Sequence, residues 1–182
     1  MNWLTLVFIL LAAFLAVFGE AALDGIRGLL GAQIDLLPPL MVYASLYGGL
    51  TAIVLLALLG GLWFDSLSVN PLGVTVLPLF IIGLALHLKR DLILRDQAFA
   101  QLTLGLAASA AAPVMTVLIL LTSGHAPLLG WGSLWQWVVM TVGGAAATPV
   151  CFLLFDWLHR TFTHSAAVQS SFRPDREIRR GR

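Results

Sequence analysis

Asp35 and Asp65 are the residues of this chain best placed to do chemistry. They bracket the apolar run LLPPLMVYASLYGGLTAIVLLALLGGLWF, which holds no other charged side chain. Carboxylates beside membrane spans are rare, and a pair of them could bind a cation, relay a proton or contact a partner. Each also has a plainer use. Asp35 can cap a helix N-terminus through its side-chain oxygen. Asp65 ends a helix, where an acid opposes the dipole and calls for a partner group.

No other set of residues makes a catalytic pattern. His87, His125, His159 and His164 are scattered and form no His-x-x-Glu-His arrangement. Ser45, Ser109 and Ser123 have no base at a recognisable spacing and no Gly-x-Ser-x-Gly elbow. Cys151 is the single cysteine, so neither a disulfide framework nor a cysteine metal site follows. No glycine-rich phosphate loop is present. The expectation is a protein that is not an enzyme, with no cofactor, no metal and no nucleic-acid partner.

The elements that position these residues must lie in a bilayer. With 59% hydrophobic residues, 10% charged residues and a mean hydropathy of +0.95 over 182 residues, the chain has more apolar surface than a soluble domain of that length can hide. Its length suits about five or six helical spans of roughly 20 residues and little besides. The expected fold is an all-α integral membrane protein with about six transmembrane helices. Residues 1–164 form the polytopic domain, and 165–182 a basic, disordered cytoplasmic tail.

In order, the first span is Trp3 to Phe18. No basic residue precedes it, as a cleaved signal would require. Ala12 and Ala16 lie four apart on one face, a small-residue pattern that suits close helix packing. Glu20 to Ile34 reads as a loop or short interfacial helix. From Asp35 to Asp65 there are about 30 residues, roughly 45 Å as one helix, too long for one span and short for two. Gly48-Gly49 in the middle favours a hairpin of two short helices, which brings Asp35 and Asp65 to the same side. Pro38 fits the first turn of a helix starting near Leu36. A turn follows at Ser68-Val69-Asn70-Pro71. Leu72 to Leu88 is the fourth span, with a kink expected at Pro78. Phe99 to Leu121 and Trp135 to Leu158 complete the six.

Nine of the ten basic residues fall in the connector holding Lys89, Arg90 and Arg95 or in the tail from Arg160 onward. The positive-inside bias puts both regions in the cytoplasm. Six spans then leave both termini there and place Asp35 and Asp65 on the outer side, with Trp63, Trp131, Trp135 and Trp137 at the outer interface. The basic tail is attracted to anionic lipid by about 1 kcal/mol per residue near the surface.

The central stretch resembles a known family. Asp35-Leu36-Leu37-Pro38, Val42-Tyr43, Gly61-Leu62 with Asp65, and Pro71-Leu72-Gly73, in this order and spacing, are similar to the core pattern of MreD, the rod-shape-determining membrane proteins. The resemblance covers about 40 residues closely. It implies a non-enzymatic component of the bacterial inner membrane that helps organise lateral peptidoglycan synthesis by binding the bitopic protein MreC, and through it MreB, RodA and its transpeptidase. It also implies a six-helix bundle like the substrate-binding subunits of energy-coupling-factor transporters. Partner-binding or motif positions would be Asp35, Pro38, Tyr43, Asp65, Asn70, Pro71 and Gly73. Where family members often carry basic residues at the cytoplasmic turn of the hairpin, this chain has Tyr47-Gly48-Gly49. The alternative is a transporter substrate-binding subunit, with Ala12 and Ala16 docking a coupling protein.

Overall fold

The computed structural model describes residues 3–22, 31–68, 70–93, 97–124 and 130–170. Those residues are helical apart from the turns that join the helices. In chain order the helices are α1 (Trp3–Ala22), α2 (Leu37–Tyr47), α3 (Leu50–Leu67), α4 (Val76–Lys89), α5 (Ala98–Thr122) and α6 (Trp131–Ser170). Four segments are long and apolar enough to cross a membrane: Thr5–Ala22 in α1, all of α3, all of α5, and Trp131–Leu158 in α6. The other two differ from the expected spans of about 20 residues. α2 has 11 residues and α4 has 14.

The central hairpin forms, and its arms are antiparallel. Gly48 and Gly49 are extended and separate α2 from α3. At the far end a Cβ on Gly60 would lie 3.0 Å from Leu37, so the end of α3 is seated on the start of α2. The helix α2 is the core of the molecule: every residue from Leu37 to Leu46 is buried. α1 covers it with the stripe Leu6, Ile9, Ala13 and Val17, spaced as one helix face requires. Ala12 and Ala16 sit half-buried on the flank of that stripe, against the chain's own core. From the other side, Phe152 and Phe155 of α6 pack on Tyr43, with ring centroids 5.2 and 4.4 Å away.

α5 and α6 pack antiparallel through small residues. Thr148 fills the space over Gly105, and Ser109 fills the space over Gly144. Pro113 lies inside α5 and cannot donate to the carbonyl one turn back; in that turn the Trp137 indole donates to the Ala110 carbonyl at 3.0 Å.

Several expected boundaries move. α1 runs on through Glu20 to Ala22, so Glu20 belongs to the first helix and not to a separate loop or short interfacial helix. Pro78 is the third residue of α4, inside the first turn, where its missing N–H has no intrahelical partner to lose. No kink is required there. α6 begins at Trp131 and continues to Ser170, so residues 165–170 extend a helix where a disordered tail was expected. The arginines from Arg173 onward, with Arg27 and Arg95, lie outside the described residues.

Candidate functional site

The helices alternate in direction, so one end of the bundle collects the end of α1, the start of α2, the end of α3, the start of α4 and the start of α6. Three carboxylates lie at that end: Glu20 and Asp35 side by side, and Asp65 in the next connection.

Two of them finish the start of α2. A helix leaves its first backbone N–H groups without intrahelical partners, and a buried start must find other acceptors. In α2 the sequence Leu36-Leu37-Pro38-Pro39 limits the problem, because neither proline has an N–H. Leu36 and Leu37 remain. Glu20 Oε1 accepts the Leu36 N–H at 2.8 Å, and Asp35 Oδ1 accepts the Leu37 N–H at 2.9 Å. Leu40 then makes the first backbone bond, to the Leu36 carbonyl. The two acids also lie within electrostatic reach of each other. Burial pushes the Asp35 carboxyl up to about 6, against the opposing pull of the Leu37 N–H.

Gln33 ties this corner to α6. Its side chain donates to Glu20 Oε2 at 3.4 Å, its backbone N–H donates to Gln136 Oε1 at 3.3 Å, and the Gln136 amide donates back to the Gln33 carbonyl at 3.1 Å.

Asp65 closes the next connection. Its side chain is buried, with 2% of the residue exposed. Oδ2 accepts the N–H groups of Gly73 at 2.8 Å and Thr75 at 3.1 Å, and Oδ1 accepts the Thr75 hydroxyl. These are the partner groups that an acid at the end of α3 requires. The loop reverses at Gly73, whose φ of +92° is a conformation that side chains disfavour. Asn70 donates its N–H to the Ser68 hydroxyl at 3.3 Å, and Val74 donates to the Pro71 carbonyl at 3.3 Å. With Oδ2 and Oδ1 filled by three donors, Asp65 acts as a clasp. Asp35 and Asp65 thus stand at the same end of the bundle, each engaged with its own backbone.

Of the remaining motif residues, Pro38 is buried in the first turn of α2, and Pro71 is exposed in the loop beside Leu72. Tyr43 is not part of this end. It lies in the second half of α2 within an aromatic cluster of Tyr47, Phe152 and Phe155, away from the carboxylate end. The other end of α2 is held by α4. A carbonyl only accepts, so the His87 Nδ1 carries the proton that bonds the Ser45 carbonyl at 3.1 Å. Among the described residues no group of three or more His, Cys, Asp or Glu side chains is placed to hold a metal ion.

Sequence reasoning missed Glu20, Thr75, Gln136 and His87. The signal available for Glu20 was its neighbourhood, Glu20-Ala21-Ala22, three strong helix formers that prolong the preceding helix. Nothing local marks the others, whose partners are distant in sequence. No protein-family model matches the chain, and it matches no curated protein and no solved structure.

Proposed function

We propose that this chain is a membrane-embedded scaffold of the MreD type, without enzymatic activity, in the inner membrane of a bacterium. On this reading α2 and α4 are short crossings, which makes six in all. Both termini are cytoplasmic, and the carboxylate end faces outward. Lys89 and Arg90 close α4 at the opposite end, and the basic tail follows α6 from the same side, in keeping with the positive-inside bias.

The observation that carries the reading is what the motif residues do. Asp35, Asp65 and Gly73, on which the resemblance rests, fix backbone at one end of the bundle by named hydrogen bonds. Asp65 and Gly73 hold Asn70, Pro71 and Leu72 as a set surface, with Leu72 70% exposed. Such a surface suits recognition of the bitopic protein MreC, and through it MreB, RodA and its transpeptidase.

The test is purification of a tagged copy from its own cell in mild detergent, followed by mass spectrometry. Recovery of a bitopic periplasmic coiled-coil protein with wall-synthesis enzymes is the expected result. Recovery of a transmembrane coupling protein with its ATPases would replace the scaffold with a transporter substrate-binding subunit. That alternative would use Ala12 and Ala16 as a docking face, yet both already pack on this chain's own core.

A further inference from the structure

The walls of the bundle differ in height. On α6 the exposed apolar side chains run from Trp131 to Trp157, and on α5 from Phe99 to Leu121. At the helical rise these stripes are about 39 Å and about 33 Å tall. On α4 they run only from Leu77 through Ile81 to Leu88, which is about 16 Å. Beside α4, the exposed stripe of α3 from Leu50 to Leu67 is about 26 Å. A Cβ on Gly61 would lie 2.9 Å from Val76, so these two helices touch and form one low wall.

α4 has no means of lengthening. Its start is pinned by the Asp65 oxygens on Gly73 and Thr75. Its end passes into a single tight turn, Arg90–Leu92, where Arg90 pairs with Asp91 at 3.6 Å. Leu72 adds one exposed apolar residue above it, and Lys89 and Arg90 follow directly below. The stripe is therefore well short of a hydrocarbon core of about 30 Å, and tilting would shorten it further.

A wall that is too short is accommodated by thinning the bilayer, by long polar side chains reaching for water, or by association. Reaching is open to Lys89 and Arg90 only, since Ser68 and Asn70 at the other end have short side chains. Association in membranes favours pairs of small residues at the contact, whereas this face presents Leu77, Ile81 and Leu88 around the single small residue Ala85. The geometry points to phospholipid as the occupant of this face, in a bilayer locally thinned against α4. This inference needs only that the chain spans a membrane and does not depend on the scaffold reading.

The test uses the full chain in vesicles of phosphatidylcholine with 18-carbon monounsaturated chains. In a Cys151→Ala background, single nitroxide labels are placed at Leu77→Cys and Leu88→Cys on α4 and at Val138→Cys and Val150→Cys on α6. The two pairs have similar spacing, about 16 Å and about 18 Å. Depth is read from the ratio of oxygen to water-soluble nickel accessibility. Both α4 labels are expected at headgroup level while both α6 labels read as hydrocarbon, and the difference should shrink in 14-carbon lipid. Depths at Leu77 and Leu88 equal to those at Val138 and Val150 would overturn the inference. So would dipolar broadening between copies labelled at Ile81→Cys, which would show a second copy covering the face.

Discussion

The Asp65 carboxylate accepts the Gly73 N–H at 2.8 Å across a turn of eight residues, and with Thr75 on the same side chain it welds the end of α3 to the start of α4. Two helices and their connecting loop therefore share one buried side chain.

Removing that side chain should loosen the whole connection. Asp65→Ala leaves the Gly73 and Thr75 donors without their acceptor, at a cost of roughly 1–3 kcal/mol for unsatisfied buried groups. Asp65→Asn keeps an oxygen for the two N–H groups and turns its amide donor to the Thr75 hydroxyl, which can accept, so it should recover much of the loss. Thr75→Val, which removes only the hydroxyl, should cost less than Asp65→Ala. Thermal unfolding in detergent checks the order, and an Asp65→Ala protein as stable as the parent would remove the clasp from the account.

The cap on α2 predicts opposite outcomes for two substitutions at one position. Glu20→Gln keeps an oxygen for the Leu36 N–H and removes a buried acid from beside Asp35, so it should be neutral or stabilising. Glu20→Ala leaves that N–H unpaired at the buried start of a helix and should destabilise by roughly 1–3 kcal/mol. Equal melting temperatures for the two variants would count against the cap.

Asp35 gives the protein a pH slope with a definite sign. Its carboxyl is raised from 3.8 to about 6, so the folded state holds a proton that the unfolded chain has released. The contribution of this group should therefore fall as pH rises from about 4 to about 6 and level off above, by at most a few kcal/mol. Denaturation curves across that window provide the measurement. Asp35→Asn should flatten the slope.

Contact between α5 and α6 depends on two absent side chains. An added Cβ at Gly144 would overlap the Ser109 hydroxyl and lie 2.6 Å from the Ser109 Cβ; at Gly105 it would lie 2.7 Å from the Thr148 Cβ. Gly144→Ala and Gly105→Ala should each cost roughly 1–3 kcal/mol through overpacking. Ser109→Ala should be neutral or mildly stabilising, because its hydroxyl is buried without a hydrogen-bond partner. Ser109→Gly should partly rescue Gly144→Ala. Failure of that rescue, read by limited proteolysis of the two helices, would place the strain elsewhere.

Local chemistry made some of this architecture legible in the sequence. Gly48-Gly49 breaks the central run because two glycines in extended backbone disfavour a continuous helix, and Asp35 and Asp65 stand out because charge is rare beside apolar spans. The helix lengths were less legible. Leu72 to Val74 are apolar enough to pass for helix, yet Gly73 reverses the chain and α4 starts only at Val76. Hydropathy averages over such a turn. Glu20 and His87 were hidden for another reason: each satisfies a backbone group of α2 from a different helix, a relationship that exists only after packing.

The wide turn at Leu56–Gly60 in α3 works as a phase correction. It carries one residue more than a regular helical turn, a feature that often sits where function constrains a helix. Each residue is worth about 100° of rotation. The buried residues Ile53, Ala57, Gly61 and Asp65 recur every fourth position, a row that would wind away from the core in an uninterrupted helix. The extra residue holds them in line. A chain one residue shorter between Leu55 and Gly61 would keep every polar group of the clasp and still swing Asp65 about 100° out of register with Gly73 and Thr75.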